Sequence, residues 1–145
     1  MGKQYLEWEK IARWSDVLAD KIAKDCPNLA KITLVAVSRG GLVPTQLIAY
    51  KLNIRDIRVI KLVSYDDSNQ RGEIEDVSTD ELFDADSVYV IDDLADSGAT
   101  IKYLRSKYPL AKYCTLLKKT CCQEQPDFCV KEGVSADTWV VFPWD

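Results

Sequence analysis

The chain contains no histidine. Ser–His and Cys–His nucleophilic schemes and imidazole acid–base catalysis are therefore excluded, and any proton transfer falls to Asp, Glu, Lys, Tyr, Cys or the substrate itself. The five cysteines include no C-x-x-C pair. With histidine also absent, the spacing of a zinc site is missing, and Cys121, Cys122 and Cys129 read as ordinary thiols. Reduced thiols fit a cytoplasmic compartment. No apolar run approaches membrane-spanning length, and Met1 to Lys10 lacks the apolar core of a signal peptide. Neither G-x-x-x-x-G-K nor G-x-G-x-x-G occurs, so the chain carries no Walker loop and no dinucleotide fingerprint. Internal repeats and low-complexity segments are absent too.

What is present points to one α/β domain. A length of 145 residues is one domain by the usual prior, 1–145, with no linker setting off a second. The net charge of −4 argues against a nucleic-acid groove as the main business. Between residues 7 and 24, Trp8, Ile11, Ala12, Leu18, Ala19 and Ile22 recur at helical spacing, and Pro27 should stop the helix. Trp8 and Trp14 read as packing residues. Strands are expected at Ile32–Val37, Ile57–Val63, Val88–Ile91 and Tyr113–Leu117, with late short strands at Asp127–Val130 and Trp139–Phe142. The polar segment Ser64 to Asp76 is long for a connection and reads as an active-site cover or a disordered loop, with Tyr65 and Arg71 as candidate contacts to an anion.

The chain is organised around Val88 to Thr100. A buried β-run ends in the adjacent carboxylates Asp92 and Asp93. A small-residue loop, Asp96-Ser97-Gly98-Ala99-Thr100, then opens a helix that runs to Tyr108 before Pro109. Strand, acidic end, small loop and helix N-terminus together present backbone N–H groups to a phosphate. A second loop, Ser38-Arg39-Gly40-Gly41, follows the first confident strand. Its glycines permit close approach of a ligand, and Arg39 offers a fork of donors suited to phosphate oxygens. Alone, that loop is equally a tight turn with a solvated arginine; two such loops in one chain favour function. Neighbouring strand residues point to opposite faces, so Asp92 and Asp93 are expected to do different jobs, one accepting from ribose hydroxyls and the other holding Mg²⁺. Lys118-Lys119-Thr120 closes the Tyr113 strand at the sheet edge where ligands bind. A phosphorylated sugar with anionic groups at two ends suits this set.

These residues resemble a known family. Val90-Ile91-Asp92-Asp93-Leu94-Ala95-Asp96-Ser97-Gly98-Ala99-Thr100 is similar to the phosphoribosyl-pyrophosphate motif of type I phosphoribosyltransferases. Val35 to Pro44, Ser64-Tyr65-Asp66 with Asn69-Gln70-Arg71, and Asp137-Thr138-Trp139 with Pro143-Trp144-Asp145 resemble the 6-oxopurine branch, the bacterial xanthine-guanine enzymes, in the same order over nearly the whole chain. The resemblance implies a mostly parallel twisted sheet flanked by helices, a small hood and a mobile active-site loop. It implies purine salvage, in which the 5-phosphoribosyl group moves from phosphoribosyl pyrophosphate to N9 of guanine, xanthine or hypoxanthine, with Mg²⁺ as cofactor. It implies a homo-oligomer, dimer or tetramer, and no nucleic-acid partner.

By the same resemblance, Asp92, Asp93, Asp96, Ser97, Gly98, Ala99 and Thr100 bind the ribose-phosphate part. Arg39, Gly40 and Arg71 bind pyrophosphate, Asp93 holds the metal and Asp96 is the general base. Lys119 donates to the 6-oxo group, Trp139 stacks on the base, and the main chain at Val140 reads its position-2 edge. Ser97 stands where threonine is usual, and Ala99 where a second glycine is common. A non-catalytic relative that senses phosphoribosyl pyrophosphate is the alternative. Retention of Asp96, Lys119 and Trp139 argues against it, because a sensor has no use for a base-activating set. A receiver-like signalling domain also carries an acid pair and a lysine, but it leaves the Arg39-Gly40-Gly41 loop unexplained.

Overall fold

A computed structural model describes residues 2–64, 74–76 and 87–145. In chain order the elements are β1 (Lys3–Tyr5), α1 (Trp8–Asp25), β2 (Ile32–Ser38), α2 (Leu42–Leu52), β3 (Ile57–Ser64), β4 (Ile74–Asp76), β5 (Ser87–Ala95), α3 (Ala99–Lys107), β6 (Lys112–Lys119), β7 (Phe128–Val134) and β8 (Trp139–Val141). Six strands form one sheet in the order β4-β3-β2-β5-β6-β7, parallel throughout except for the antiparallel β3–β4 edge. This is the mostly parallel α/β architecture expected. The short strands β1 and β8 pair in parallel to make a separate two-stranded sheet.

Local sequence explains the layers. In α1 the buried positions Ile11, Ser15, Leu18, Ala19 and Ile22 form one stripe, and the helix stops before Pro27. β2 is buried at six successive residues, as a central parallel strand should be. Strand alternation then sorts the side chains. Leu34, Ile91, Cys114 and Leu116 pack with α1 and α2 on one face, while Val35, Val37, Val90 and Tyr113 pack with Ile101 and Leu104 of α3 on the other. Trp14 packs against the first of these cores. Trp8 is largely exposed and meets the Trp144 ring at 5.9 Å, while Trp144 stacks on Phe142 at 4.9 Å. Among the described residues no helix is long and apolar enough to cross a membrane.

Two expectations change. The segment from Ser64 to Asp76 is not all loop, since Ile74–Asp76 pairs with Leu62–Ser64 as β4. β7 runs on to Val134, beyond the expected Val130. The strand order positions the site. After β2 the chain continues to β3 on one side and returns to β5 on the other, so the sheet has its switch point between β2 and β5. Ligands of open α/β sheets bind at the carboxyl ends of the strands there. The loops that leave those two strands are the two phosphate-type loops of the sequence.

Candidate active site

The first loop leaves β2 through a cis peptide between Ser38 and Arg39. Arg39 is exposed, and Gly40 and Gly41 lead into α2. The need for both glycines is visible across the gap to β5. A Cβ on Gly40 would lie 2.3 Å from Asp93 Oδ2 and 2.5 Å from its Cγ, so the Asp93 carboxyl rests on the Gly40 backbone. A Cβ on Gly41 would lie 2.1 Å from the Ile91 carbonyl oxygen. The loop is thus pressed onto β5.

The side chains of Asp92 and Asp93 leave β5 toward opposite faces, as alternation requires, while their carboxyls stay within reach of one another. Asp93 faces the Arg39 loop. Asp92 lines a small cavity on the α3 side with Thr100 and Thr115, and its Oδ1 accepts the Asp93 backbone N–H at 2.8 Å. Burial holds the Asp92 carboxyl well above the usual carboxylate range, and the neighbouring Asp93 charge adds to this. Burial raises Asp93 as well, with the Asp145 carboxylate contributing in the same direction. Among the described residues no lysine or arginine pairs with either acid. A desolvated acid pair without a cationic partner, one member resting on bare glycine backbone, fits a hard divalent cation. No cluster of three protein ligands occurs among the described residues, so further oxygens would come from substrate and water, as is ordinary for magnesium.

The second loop, Asp96 to Gly98, joins β5 to α3. Gly98 takes φ +89°, and a Cβ there would lie 2.7 Å from the Glu124 backbone nitrogen. Ser97 Oγ accepts the Ala99 N–H at 3.3 Å. Thr100 lies in the first turn of α3, where backbone N–H groups lack helical partners. The segment after β6 backs this loop: Gln123 N–H donates to the Ser97 carbonyl at 3.0 Å, and the Cys121 thiol lies 3.8 Å from the Asp96 carbonyl. Arg105 of α3 holds that segment through Glu124 at 2.6 Å and Asp127 at 3.1 Å. The supporting roles of Gln123, Glu124 and Arg105 were not read from the sequence, because nothing in their residue types marks them.

Lys118 and Lys119 diverge at the end of β6. Lys118 pairs with Glu132 at 2.6 Å. Lys119 is buried, its Nζ 3.4 Å from Asp96 Oδ2 and 3.5 Å from the Ala136 carbonyl. Lys119 is therefore the lysine that faces the loop. Its contact with Ala136 ties the site to the turn before β8, where Trp139 presents an indole 60 % exposed. Trp139 N–H donates to the Gly2 carbonyl and Leu6 N–H to the Val141 carbonyl. Residues 139 and 141 thus spend their polar groups on β1, and alternation turns the Val140 N–H and C=O to the opposite edge, which no strand pairs among the described residues. Arg71 and Tyr65 lie outside the described residues. Asp145 reaches Asp93 electrostatically, and nothing in the sequence beyond the Pro143-Trp144-Asp145 motif marks it.

The whole chain, residues 1–145, matches the phosphoribosyl transferase domain family. A xanthine-guanine phosphoribosyltransferase of Idiomarina loihiensis is 37 % identical over 144 residues, covering 97 % of this chain and 86 % of that protein. A xanthine-guanine phosphoribosyltransferase of Ruegeria is 34 % identical over 97 % of this chain and 84 % of its own. Among solved structures, a purine phosphoribosyltransferase from Pyrococcus horikoshii superposes with a TM-score of 0.81 at 26 % identity, covering 100 % of this chain and 95 % of that one. The Helicobacter pylori xanthine-guanine-hypoxanthine phosphoribosyltransferase superposes at 0.76 and 26 % identity, over 98 % and 93 %.

Proposed function

From the premise that this chain belongs to the phosphoribosyl transferase family and is a purine phosphoribosyltransferase, we propose that it transfers the 5-phosphoribosyl group of phosphoribosyl pyrophosphate to N9 of a 6-oxopurine. The observation that carries this is the buried Lys119 ammonium 3.4 Å from Asp96. It joins a donor suited to a 6-oxo group to a carboxylate on the phosphate loop. The 5′-phosphate sits on the amides of Ser97 to Thr100, with the Ser97 and Thr100 hydroxyls as added donors. Asp92 accepts from the ribose hydroxyls. Arg39, joined by Arg71, takes the leaving pyrophosphate, whose charge grows as the C1–O bond breaks. Asp96 takes the proton from purine N7. Lys119 can only donate, which suits guanine, xanthine and hypoxanthine and opposes the 6-amino group of adenine. Trp139 offers an exposed face for stacking, and the free Val140 edge meets position 2.

Asp93 would hold Mg²⁺, which when bound neutralises charge on the pyrophosphate oxygens. A homo-oligomer is supported by the exposed apolar side chains Leu42, Leu47 and Tyr50 on α2. The five free cysteines support a reducing, cytoplasmic setting. Pyrophosphate release from phosphoribosyl pyrophosphate, measured with Mg²⁺ and guanine, xanthine, hypoxanthine and adenine in turn, tests the reading. Turnover with 6-oxopurines and not adenine is expected. No turnover with any of the three overturns it.

A further inference from the structure

On the α3 face of the sheet, Asp92 stands in direct register with Thr115 of β6. Thr115 is 1 % exposed, and its Oγ1 is buried with no hydrogen-bond partner. Cys129 of β7 is the next residue in the same row. Burial pushes its thiol up, and its sulfur lies close enough to Thr115 for the hydroxyl to ease ionisation against that larger effect, yet outside the geometry of a hydrogen bond to Oγ1. An orphan hydroxyl inside a packed layer forfeits its hydration with no return, so such groups are nearly always satisfied by protein or by an ordered water. Between Asp92, Thr115 and Thr100 lies a cavity of about 10 Å³, walled by Val37, Leu104 and Tyr113. That is about the space one water molecule occupies, and a single buried water typically needs two to four polar partners. Asp92, Thr115 and Thr100 are the polar groups around it.

We propose that this cavity binds one structural water that links Thr115 Oγ1 to the Asp92 carboxyl, making Thr115 a positioning residue for the ribose site. The argument is geometric. Asp92 lies three residues before the end of β5 and anchors one oxygen on the Asp93 N–H, with the Asp93 carboxyl close by, which leaves the inner side of its own carboxyl to be aimed by what lies beneath it. A water held by Thr115 fixes that orientation from the protein side and keeps the outer lone pairs toward the sugar hydroxyls. Thr100 on the rim couples the same water to the first turn of α3, so the ribose and phosphate parts of the cradle share one support. The inference rests on the proposed contact of Asp92 with ribose.

The test is a crystal structure of the unsubstituted protein at a resolution that shows ordered water, with kinetics of Thr115→Val, Thr115→Ser and Asp92→Asn. A water within hydrogen-bond distance of both Thr115 Oγ1 and the Asp92 carboxyl is expected, and its absence overturns the proposal even should Thr115→Val fail to fold. Loss of the water in Thr115→Val should raise KM for phosphoribosyl pyrophosphate about tenfold, the effect of one hydrogen bond to a charged group. The kcat should change little, and Thr115→Ser should restore KM. A purely structural role would lower thermal stability and leave KM where it was. If Asp92→Asn raises KM and Thr115→Val does not, the positioning role is wrong while the ribose contact stands. If Asp92→Asn leaves KM unchanged, the ribose contact itself fails and the inference with it.

Discussion

Gly40 and Gly41 are adjacent, yet the structure predicts opposite consequences for replacing them with alanine. The new Cβ of Gly40→Ala would fall 2.3 Å from Asp93 Oδ2 and 2.6 Å from Oδ1. Both belong to the end of a short side chain that can rotate away, so the clash resolves by moving the carboxyl about 1 Å. A displacement of that size at a positioned group costs about 100-fold in rate. The backbone is untouched, so the stability loss should stay near the 1–3 kcal/mol typical of mild overpacking, or roughly 2–10 °C in Tm. In Gly41→Ala the Cβ meets the Ile91 carbonyl oxygen at 2.1 Å and the Val37 carbonyl oxygen at 2.9 Å. These atoms belong to β5 and β2 at the centre of the sheet and cannot rotate aside. Either the loop lifts or the two strands part, a penalty of about 4 kcal/mol or more against a total stability of roughly 5–15 kcal/mol. The assay is turnover against Mg²⁺ concentration, with Tm measured on the same samples. Gly40→Ala should fold, lose about 100-fold in kcat and need more Mg²⁺; Gly41→Ala should be poorly soluble. A fully active Gly40→Ala enzyme with unchanged Mg²⁺ dependence, or a Gly41→Ala protein as stable as the parent, would refute the close approach of the first loop to β5.

Three further outcomes are expected. Asp96→Asn should lower kcat by about 10²–10⁴, the range for a removed general base, with little change in binding of phosphoribosyl pyrophosphate; equal losses of both would reduce Asp96 to a structural part of its loop. Lys119→Met removes a charged donor and should cut kcat/KM for guanine about 10–100-fold without a matching loss for adenine, whereas Lys118→Met should leave both within about twofold. Stability should fall under alkaline conditions. Burial pushes the Cys114 thiol and the Tyr89 and Tyr113 phenols up, with the Asp25 carboxylate adding at Tyr89. Their folded pKa values lie above the unfolded ones of about 8.5 for cysteine and 10 for tyrosine, so stability is full below about pH 8.5 and is lost as pH rises. Urea unfolding from pH 7 to 11 reads this directly, and a flat profile would contradict it.

The parts of the fold that were legible are those whose burial is written locally. Ile32 to Val37 is apolar without a break because β2 is covered on both faces, and the stripe of Ile11, Leu18, Ala19 and Ile22 marks the one buried side of α1. Strands β1 and β4 were missed for the opposite reason. Lys3–Tyr5 and Ile74–Asp76 are too short to show alternation, and each exists because a distant segment, β8 or the end of β3, offers it an edge. The site divides in the same way. The loops could be read because glycine, small hydroxyl residues and carboxylates cluster in them. What Gly40 accommodates could not, since Asp93 is far along the chain and reaches it only through the adjacency of β2 and β5. The supporting segment from Cys121 to Gln125 carries residue types common to any surface turn; its place is set by Arg105, which pins it beneath the Asp96 loop.

Strand alternation also accounts for the order of events the site permits. Asp92 and Asp93 are consecutive, so their side chains start from β5 toward opposite faces, Asp92 over the α3 layer and Asp93 over the Arg39 loop, with the two carboxyls still in reach of each other. Under the proposed reading, a sugar phosphate on the Asp96 loop would lie across β5, with its ribose on the Asp92 side and its pyrophosphate on the Asp93 side. Lys119 stands one strand further on, at the end of β6, and meets Asp96 on the loop after β5, so in that reading the base would approach from the side away from the Arg39 loop. That reading would set attack and departure on opposite sides of the sugar carbon, because two adjacent strand residues start from opposite faces.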